Sequence, residues 1–374
     1  MDTRRLPLLL SLRPDGSEFA RWVQAHGAAA DWGWLLRRAE QHKVAALLAE
    51  RLAGCDLDRA VLRRLAIIRL EATRRAAAAE RTLARLGEAF AAAALPFFVV
   101  KGSVLAHQIY GDPRRRRFAD VDVVVHRADV AQAERTLRAL GHRPGGFAAI
   151  VAARPRTATQ RHLASGLTRR FEARHLGAFT WQAPAGGELL SVDLHWQLSP
   201  DRLPRDEDRL WQQTVPLTVA GTPVLTLGPA ATVLHLAAHA TTCLLNGFRL
   251  LHLADVGWAA HHFAAHSAAV WALAEQWRLT SHLATVFALV EERLGIAVPM
   301  ADSGPRRRAP ALVSEAMLVE VPDLAALPAY RRIGPELSWA IGMRCLRRSV
   351  RISTAAAIAR LRFRLHRRRA SRTA

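Results

Sequence analysis

The chain has 374 residues, of which 51% are hydrophobic, 23% charged and only 6% aromatic. That is a globular composition with room for a large core or two, and it excludes disordered, collagen-like and disulfide-scaffolded chains. Subtracting 32 acidic from 53 basic residues leaves +21, enough to draw anionic partners such as nucleotides, nucleic acid or acidic lipid.

From Asp31 to Phe90 apolar residues recur at helical spacing, as in Trp34, Leu35 and Ala39, then Val44, Leu47 and Leu48, then Leu62, Leu65 and Ile68, with arginines on the opposite faces. Pro96 ends this helical region, and Phe97 to Val100 is short, aromatic and β-branched, a buried strand. Gly102-Ser103 follows at once and opens a short helix running to Tyr110. Beyond a glycine–proline turn and the arginines 114–117, Asp120 to Val125 forms a second strand, and 128–140 a helix closed by Gly141.

Residues 143–168 give no clear assignment. Arg170 to Gln182 and Leu189 to Gln197 alternate as two further strands around a Pro-Ala-Gly-Gly turn at 184–187. The uncharged stretch from Gln212 to Phe248 contains three prolines, and its second half reads as a buried helix rather than a membrane span. Helices are expected at 230–246, 249–265, 267–279 and 281–295, then a proline-rich break at 299–323. The last stretch, Arg344 to Arg369, has no acidic residue, and Arg344, Arg347, Arg348 and Arg351 make one basic helix face.

Cys55, Cys243 and Cys345 are odd in number, far apart and in no metal-binding spacing, which points to a reducing compartment, and residues 1–25 hold no uninterrupted signal-peptide core. The expected location is cytoplasmic. Lys43 and Lys101 are the only lysines, so most of the basicity is arginine and reads as compositional bias of a GC-rich genome.

Strand parity concentrates the chemistry. Asp120 and Asp122 project to one face while Val121 and Val123 go to the core, and Asp193 and His195 share a face opposite Val192, Leu194 and Trp196. Carboxylates this close need a cation between them, and three hard oxygen donors suit Mg²⁺ or Mn²⁺. Gly102 lets backbone approach a ligand, and the helix start with the Ser103 hydroxyl is an anion site. His235 and His239, four apart on one helix, have metal-pair spacing but no adjacent glutamate or clear third ligand, so core or substrate-wall histidines are the better reading. Asp255 reads as a helical ion-pair partner of Arg249. The arginines 114–117 read as a solvated loop from which Arg116 or Arg117 reaches a nucleotide, and His195 reads either as an outer partner of Asp193 or as inert.

The string Lys101-Gly102-Ser103, Tyr110-Gly111-Asp112-Pro113, an arginine, Asp120-Val121-Asp122 and later Val192-Asp193-Leu194-His195-Trp196 resembles the motifs of the polymerase-β-like nucleotidyltransferases. It is most similar to a large, poorly characterised bacterial group of them, and the likeness extends over Trp34 to Leu48, Leu234 to His239 and Leu250 to Asp255. The resemblance implies an α+β fold: a small mixed-sheet nucleotidyltransferase core at 95–200 between a helical N-terminal region at 1–94 and a helical C-terminal domain at 201–300, with a basic helical tail at 301–374. It assigns the donor triphosphate to Gly102 and Ser103, with Lys101 and Arg116 or Arg117 nearby. It gives two Mg²⁺ ions (or Mn²⁺) to Asp120 and Asp122, and the catalytic ion and activation of the acceptor hydroxyl to Asp193. The implied reaction is Mg²⁺-dependent transfer of a nucleotidyl group from an NTP such as ATP to a hydroxyl or phosphate of a small-molecule or peptide acceptor, with pyrophosphate leaving, in a biosynthetic setting.

Two alternatives stand beside it. A metal-dependent glycosyltransferase also uses a DxD pair, although there the pair usually closes its strand and here Val123 to Val125 follow it. A non-enzymatic adaptor would bind RNA or an anionic membrane through the basic tail, and would be expected to have lost the carboxylate triad.

Overall fold

The computed structural model describes residues 5–145, 178–198, 207–246, 249–305, 307–309 and 318–319. Two short helices, α1 (Leu6–Ser11) and α2 (Ser17–His26), precede α3 (Trp32–Gln41), α4 (Ala45–Arg51) and the long α5 (Arg59–Ala92). Asp31 starts α3 by accepting from the Trp34 N–H, and Asp58 starts α5 by accepting from the Ala60 N–H, which satisfies donors the first turn leaves free. Helix α5 stops where Ala94 turns to φ 51° and the Leu95 N–H reaches back to the Phe90 carbonyl, with Pro96 blocking any continuation.

Strand β1 (Phe97–Val100) runs into α6 (Gly102–Gln108); β2 (Asp120–Val125), α7 (Val130–Ala139), β3 (Arg143–Pro144), β4 (Ala178–Gln182) and β5 (Ser191–His195) follow. Then come α8 (Glu207–Trp211), the hairpin β6 (Thr214–Val219) and β7 (Thr222–Leu227), and four helices: α9 (Pro229–Asn246), α10 (Leu250–His262), α11 (Ser267–Gln276) and α12 (Thr280–Leu294). The described strands form one mixed sheet in the order β3-β4-β5-β2-β1-β7-β6, with β2 parallel to β5, β1 parallel to β7 and the other neighbours antiparallel.

The β6–β7 hairpin went unread in the sequence. It adds two strands beyond β1, joined by Ala220 and Gly221 at φ 48° and 82°, the paired left-handed conformations of a tight hairpin turn. Pro223 and Pro216 sit in these strands, and Pro216 is on the outermost one, where proline is tolerated.

The two faces of the sheet divide the core. Val99, Val121, Val123, Val125, Val192 and Leu194 pack with Leu83, Leu86 and Phe90 of α5 and Leu137 of α7. The opposite parity, including Phe98, Val100 and Val124, joins a larger core with the N-terminal helices and α9 to α12. Each fully buried Val, Leu or Phe contributes roughly 1.5–3 kcal/mol, so the alternation fixes the register and places Asp120, Asp122, Asp193 and His195 on the side of the C-terminal helices. Among the described residues no helix is long and apolar enough to cross a membrane; α9 is instead packed into the core through Val233, Leu234 and Leu236. The basic tail from Arg344 lies outside the described residues.

Candidate active site

Parallel pairing of β2 with β5 puts Asp122 directly beside Asp193 and Val124 beside His195. Asp120 opens β2 next to Ser191, so the two aspartates of the pair lie at the start of their strand, as the sequence suggests. One ligand atom each from Asp122, Asp193 and His195 lies within 4.8 Å of the others, the sole such group of three or more acidic, histidine or cysteine side chains among the described residues. His195 thus stands within reach of a cation held by these carboxylates. Asp120 shares the face but is not part of that group.

Asp122 is the hub. Lys101 Nζ donates to its Oδ1 at 2.9 Å, and His195 Nε2 lies 3.0 Å from the same oxygen. Burial raises the Asp122 carboxyl, but the Lys101 charge and the His195 hydrogen bond outweigh it and hold the group well below the usual carboxylate range. Burial likewise works against the Lys101 ammonium, and the charge of Asp122, with those of Asp193 and Asp120, more than restores it. Asp120 is pushed up to about 6 by burial and by the charges of Asp122 and Asp193. Asp193 is raised by burial and by Asp122, and its Oδ1 is buried with no hydrogen-bond partner.

The turn between β1 and α6 is built for close approach. Lys101 sits at φ 54°, ψ −129°, a conformation costing a residue with a side chain of order 1–3 kcal/mol. A Cβ on Gly102 would stand 3.3 Å from the Asp120 carbonyl oxygen and from Phe118 Cβ, so a larger residue would need β2 or Phe118 to give by a few tenths of an ångström. Ser103 is fully buried, and its hydroxyl also lacks a hydrogen-bond partner. Orphaned buried oxygens are rare. Here Ser103 Oγ and Asp193 Oδ1 are both of this kind, and the set of two carboxylates, one with an unpartnered oxygen, and an imidazole fits a divalent cation.

The arginines of the loop have other partners than the aspartate pair. Arg114 pairs with Asp112, Arg115 with Glu50, Arg116 with Asp255, and Arg117 with Glu71 at 3.5 Å. Arg116 is buried, not part of a solvated loop, and Asp255 bonds to Arg116 and to the Tyr110 hydroxyl rather than along its own helix. Arg116 Nη1 also donates to the Gly102 carbonyl at 3.2 Å, so this guanidinium holds the turn from behind. Arg117 is about one-third exposed.

His235 on α9 is buried and lines a small pocket with Lys101, Val100, Val104, Thr226 and Thr232. Both its ring nitrogens lack a hydrogen-bond partner, and burial followed by the Lys101 charge lowers it to about 3. Its ring centroid is 6.2 Å from that of His239, whose ring in turn meets His252 edge-on at 5.2 Å. His235 is buried and His239 and His252 are half-buried.

Comparison with known proteins agrees with this geometry. A family profile described as "Uncharacterised nucleotidyltransferase" matches residues 28–295. No curated protein matches the sequence. Two solved structures resemble the chain loosely. The antibiotic-resistance factor ANT(2'')-Ia has 13% identity and a TM-score of 0.35 over 54% of this chain and 95% of its own. An antigenic nucleotidyltransferase-like protein from Paracoccidioides brasiliensis has 14% identity and a TM-score of 0.31 over 55% and 91%. Likeness at that level carries no argument about substrate. The family profile, which spans most of the chain and every residue of the Lys101–Asp122–Asp193 cluster, carries the conclusion: the chain belongs to the uncharacterised nucleotidyltransferase family and is an enzyme of that class.

Proposed function

We propose that the protein transfers a nucleotidyl group from an NTP to a hydroxyl or phosphate of a small-molecule or peptide acceptor, with Mg²⁺ held by Asp120, Asp122 and Asp193. The observation that carries this reading is the in-register pairing of Asp122 with Asp193, with His195 on the same face and the Asp193 Oδ1 buried without a partner. Divalent metal, when bound, supplies charge stabilisation for the attacking and leaving oxygens of an in-line displacement, and two Mg²⁺ ions are the expected complement.

The chain's own groups do the rest. Ser103, Gly102 and Lys101 receive the triphosphate, which satisfies the orphaned hydroxyl and offers Lys101 an anionic partner. Arg116, clamped by Asp255, fixes the Gly102 carbonyl and so the shape of that turn. His195 holds Asp122 in position. Asp193, whose carboxyl burial makes more basic than usual, takes the proton of the acceptor hydroxyl. The acceptor oxygen then bonds to the α-phosphorus, the bond from that phosphorus to the bridging oxygen breaks, and pyrophosphate leaves with the electron pair.

The glycosyltransferase alternative loses its support from the same facts: the aspartate pair opens β2, and Asp193 lies beside it. Incubating the protein with each of four α-labelled NTPs, Mg²⁺ and fractions of small molecules and peptides tests the proposal. Label should enter an acceptor with release of pyrophosphate, and Asp122→Asn should abolish it. Mg²⁺-dependent binding of none of the four nucleotides would contradict it.

A further inference from the structure

We infer that Lys101 is a resident counter-ion of the metal centre, bound to Asp122 in the metal-free protein and released to the donor's phosphates when the divalent ion arrives. The inference rests on the nucleotidyl-transfer reading and concerns how the site exists before its ligands bind.

Asp122 Oδ1 already has two neighbours in donor position, Lys101 Nζ at 2.9 Å and His195 Nε2 at 3.0 Å. A divalent ion bound by this carboxylate comes within a few ångströms of both of them. His195 belongs to the same three-residue group, and an imidazole that presents its lone pair in place of the N–H can become a ligand rather than a competitor. Lys101 cannot: an ammonium has three donors and no lone pair, and it repels a divalent cation.

The backbone around Lys101 is shaped for this contact. Its φ of 54° and ψ of −129° lie in a region costly for any residue with a side chain, and a Cβ on the next residue would be tightly packed against Asp120 and Phe118. The strained turn aims the side chain at β2. Arginine supplies nearly all the positive charge of this chain, and Lys101 is one of just two lysines. A compact ammonium on a flexible stem is the side chain that sits where a small cation sits and can swing away; a planar guanidinium is not.

A permanent structural salt bridge would leave the site unbalanced. One ammonium faces Asp120, Asp122 and Asp193, and the Asp193 Oδ1 has no hydrogen-bond partner. Lys101 offsets part of the clustered charge so that the metal-free site holds its shape, and it yields to an ion that ligates more of these oxygens.

Mn²⁺ alone, titrated into the full chain by calorimetry or by its paramagnetic resonance signal, tests this. Lys101→Met should bind Mn²⁺ about tenfold more tightly than wild type, because a competing positive charge is gone. Lys101→Arg, which keeps the charge on a group that exchanges less readily, should show no such gain. With Mn²⁺ saturating, Lys101→Met should bind a non-hydrolysable NTP analogue more weakly, and without metal it should melt at a lower temperature. If Lys101→Met fails to fold by circular dichroism, Lys101→Gly, which relieves the positive φ, takes its place in the titration. Equal or weaker Mn²⁺ binding by the charge-removing variant overturns the exchange and leaves the metal site standing. A wild type that binds Mn²⁺ neither alone nor with an NTP overturns the metal site and the exchange with it.

Discussion

Arg116 and Asp255, 139 residues apart, form a buried two-pronged ion pair, Nε to Oδ1 at 2.8 Å and Nη2 to Oδ2 at 2.7 Å. The Tyr110 hydroxyl donates to Oδ1 as well, and Arg116 Nη1 carries the link on to the Gly102 carbonyl. A carboxylate of helix α10 thereby fixes the turn proposed to receive the triphosphate. Asp255→Asn should destabilise the protein by about 3–5 kcal/mol, because it leaves a buried guanidinium uncompensated. The double variant Arg116→Met, Asp255→Leu should recover part of that stability and still bind nucleotide weakly, since the Gly102 carbonyl has lost its donor. Urea midpoints beside nucleotide titrations separate the two effects; normal nucleotide affinity in the double variant would remove the positioning role.

Asp120 carries the cost of the clustered carboxylates, its pKa pushed up to about 6 by burial and by Asp122 and Asp193. Removing its charge should stabilise the metal-free protein at pH 7.5 by about 1–2 kcal/mol. Added Mg²⁺ should raise the melting temperature of wild type and do little for Asp120→Asn, so the two curves approach or cross. Metal-free melting curves in which Asp120→Asn is the less stable protein would show that the carboxylate has a structural partner.

The Ser103 hydroxyl is buried and unpartnered, so Ser103→Ala should leave the stability of the free protein within about 0.5 kcal/mol of wild type, or raise it. The same variant should weaken nucleotide binding about tenfold, as expected when a hydrogen bond to a charged ligand is lost. A drop in stability with unchanged nucleotide binding would make Ser103 a core residue and nothing more.

His235 and His252 are both held near 3 by burial against an ordinary value of 6.5. The folded protein keeps them neutral while the unfolded chain protonates them below 6.5, so their contribution is fully present above that pH and is lost as the pH falls toward 3. Each should cost about 1.4 kcal/mol per pH unit within that window. Between pH 6.5 and 5, His235→Leu should lose about 2 kcal/mol less stability than wild type. Parallel losses in the two proteins would mean that His235 stays charged or exposed when folded.

Much of this architecture is legible in the sequence, because short-range periodicity and stereochemical punctuation dictate it. Phe97 to Val100 and Asp120 to Val125 alternate or run apolar between Pro96, Gly102 and the loop after Val125, and they are strands with those bounds. Asp122 and Asp193 have the same parity on their strands, and the parallel register brings them side by side. What stayed hidden depends on pairing across long separations. The hairpin from Thr214 to Leu227 has the β-branched alternation and the Ala220-Gly221 turn of a hairpin, but its two prolines argue against a strand until Pro216 is seen on the sheet's outermost strand. The partnership of Arg116 with Asp255 has no local signature at all, and an arginine in a run of four reads as solvated loop. His195 is on the right face by parity, yet its contact with Asp122 depends on the register of β5 against β2.

The central claim, that the carboxylates of β2 and β5 form one catalytic centre, is tested most directly at Asp193, on a different strand from Asp120 and Asp122. Nucleotide affinity with Mg²⁺ measured by calorimetry, beside single-turnover transfer, should give an Asp193→Asn variant that binds NTP within a few-fold of wild type but loses about 10²-fold or more in turnover. His195→Ala should keep measurable activity. Normal turnover by Asp193→Asn would contradict the account and make that carboxylate structural.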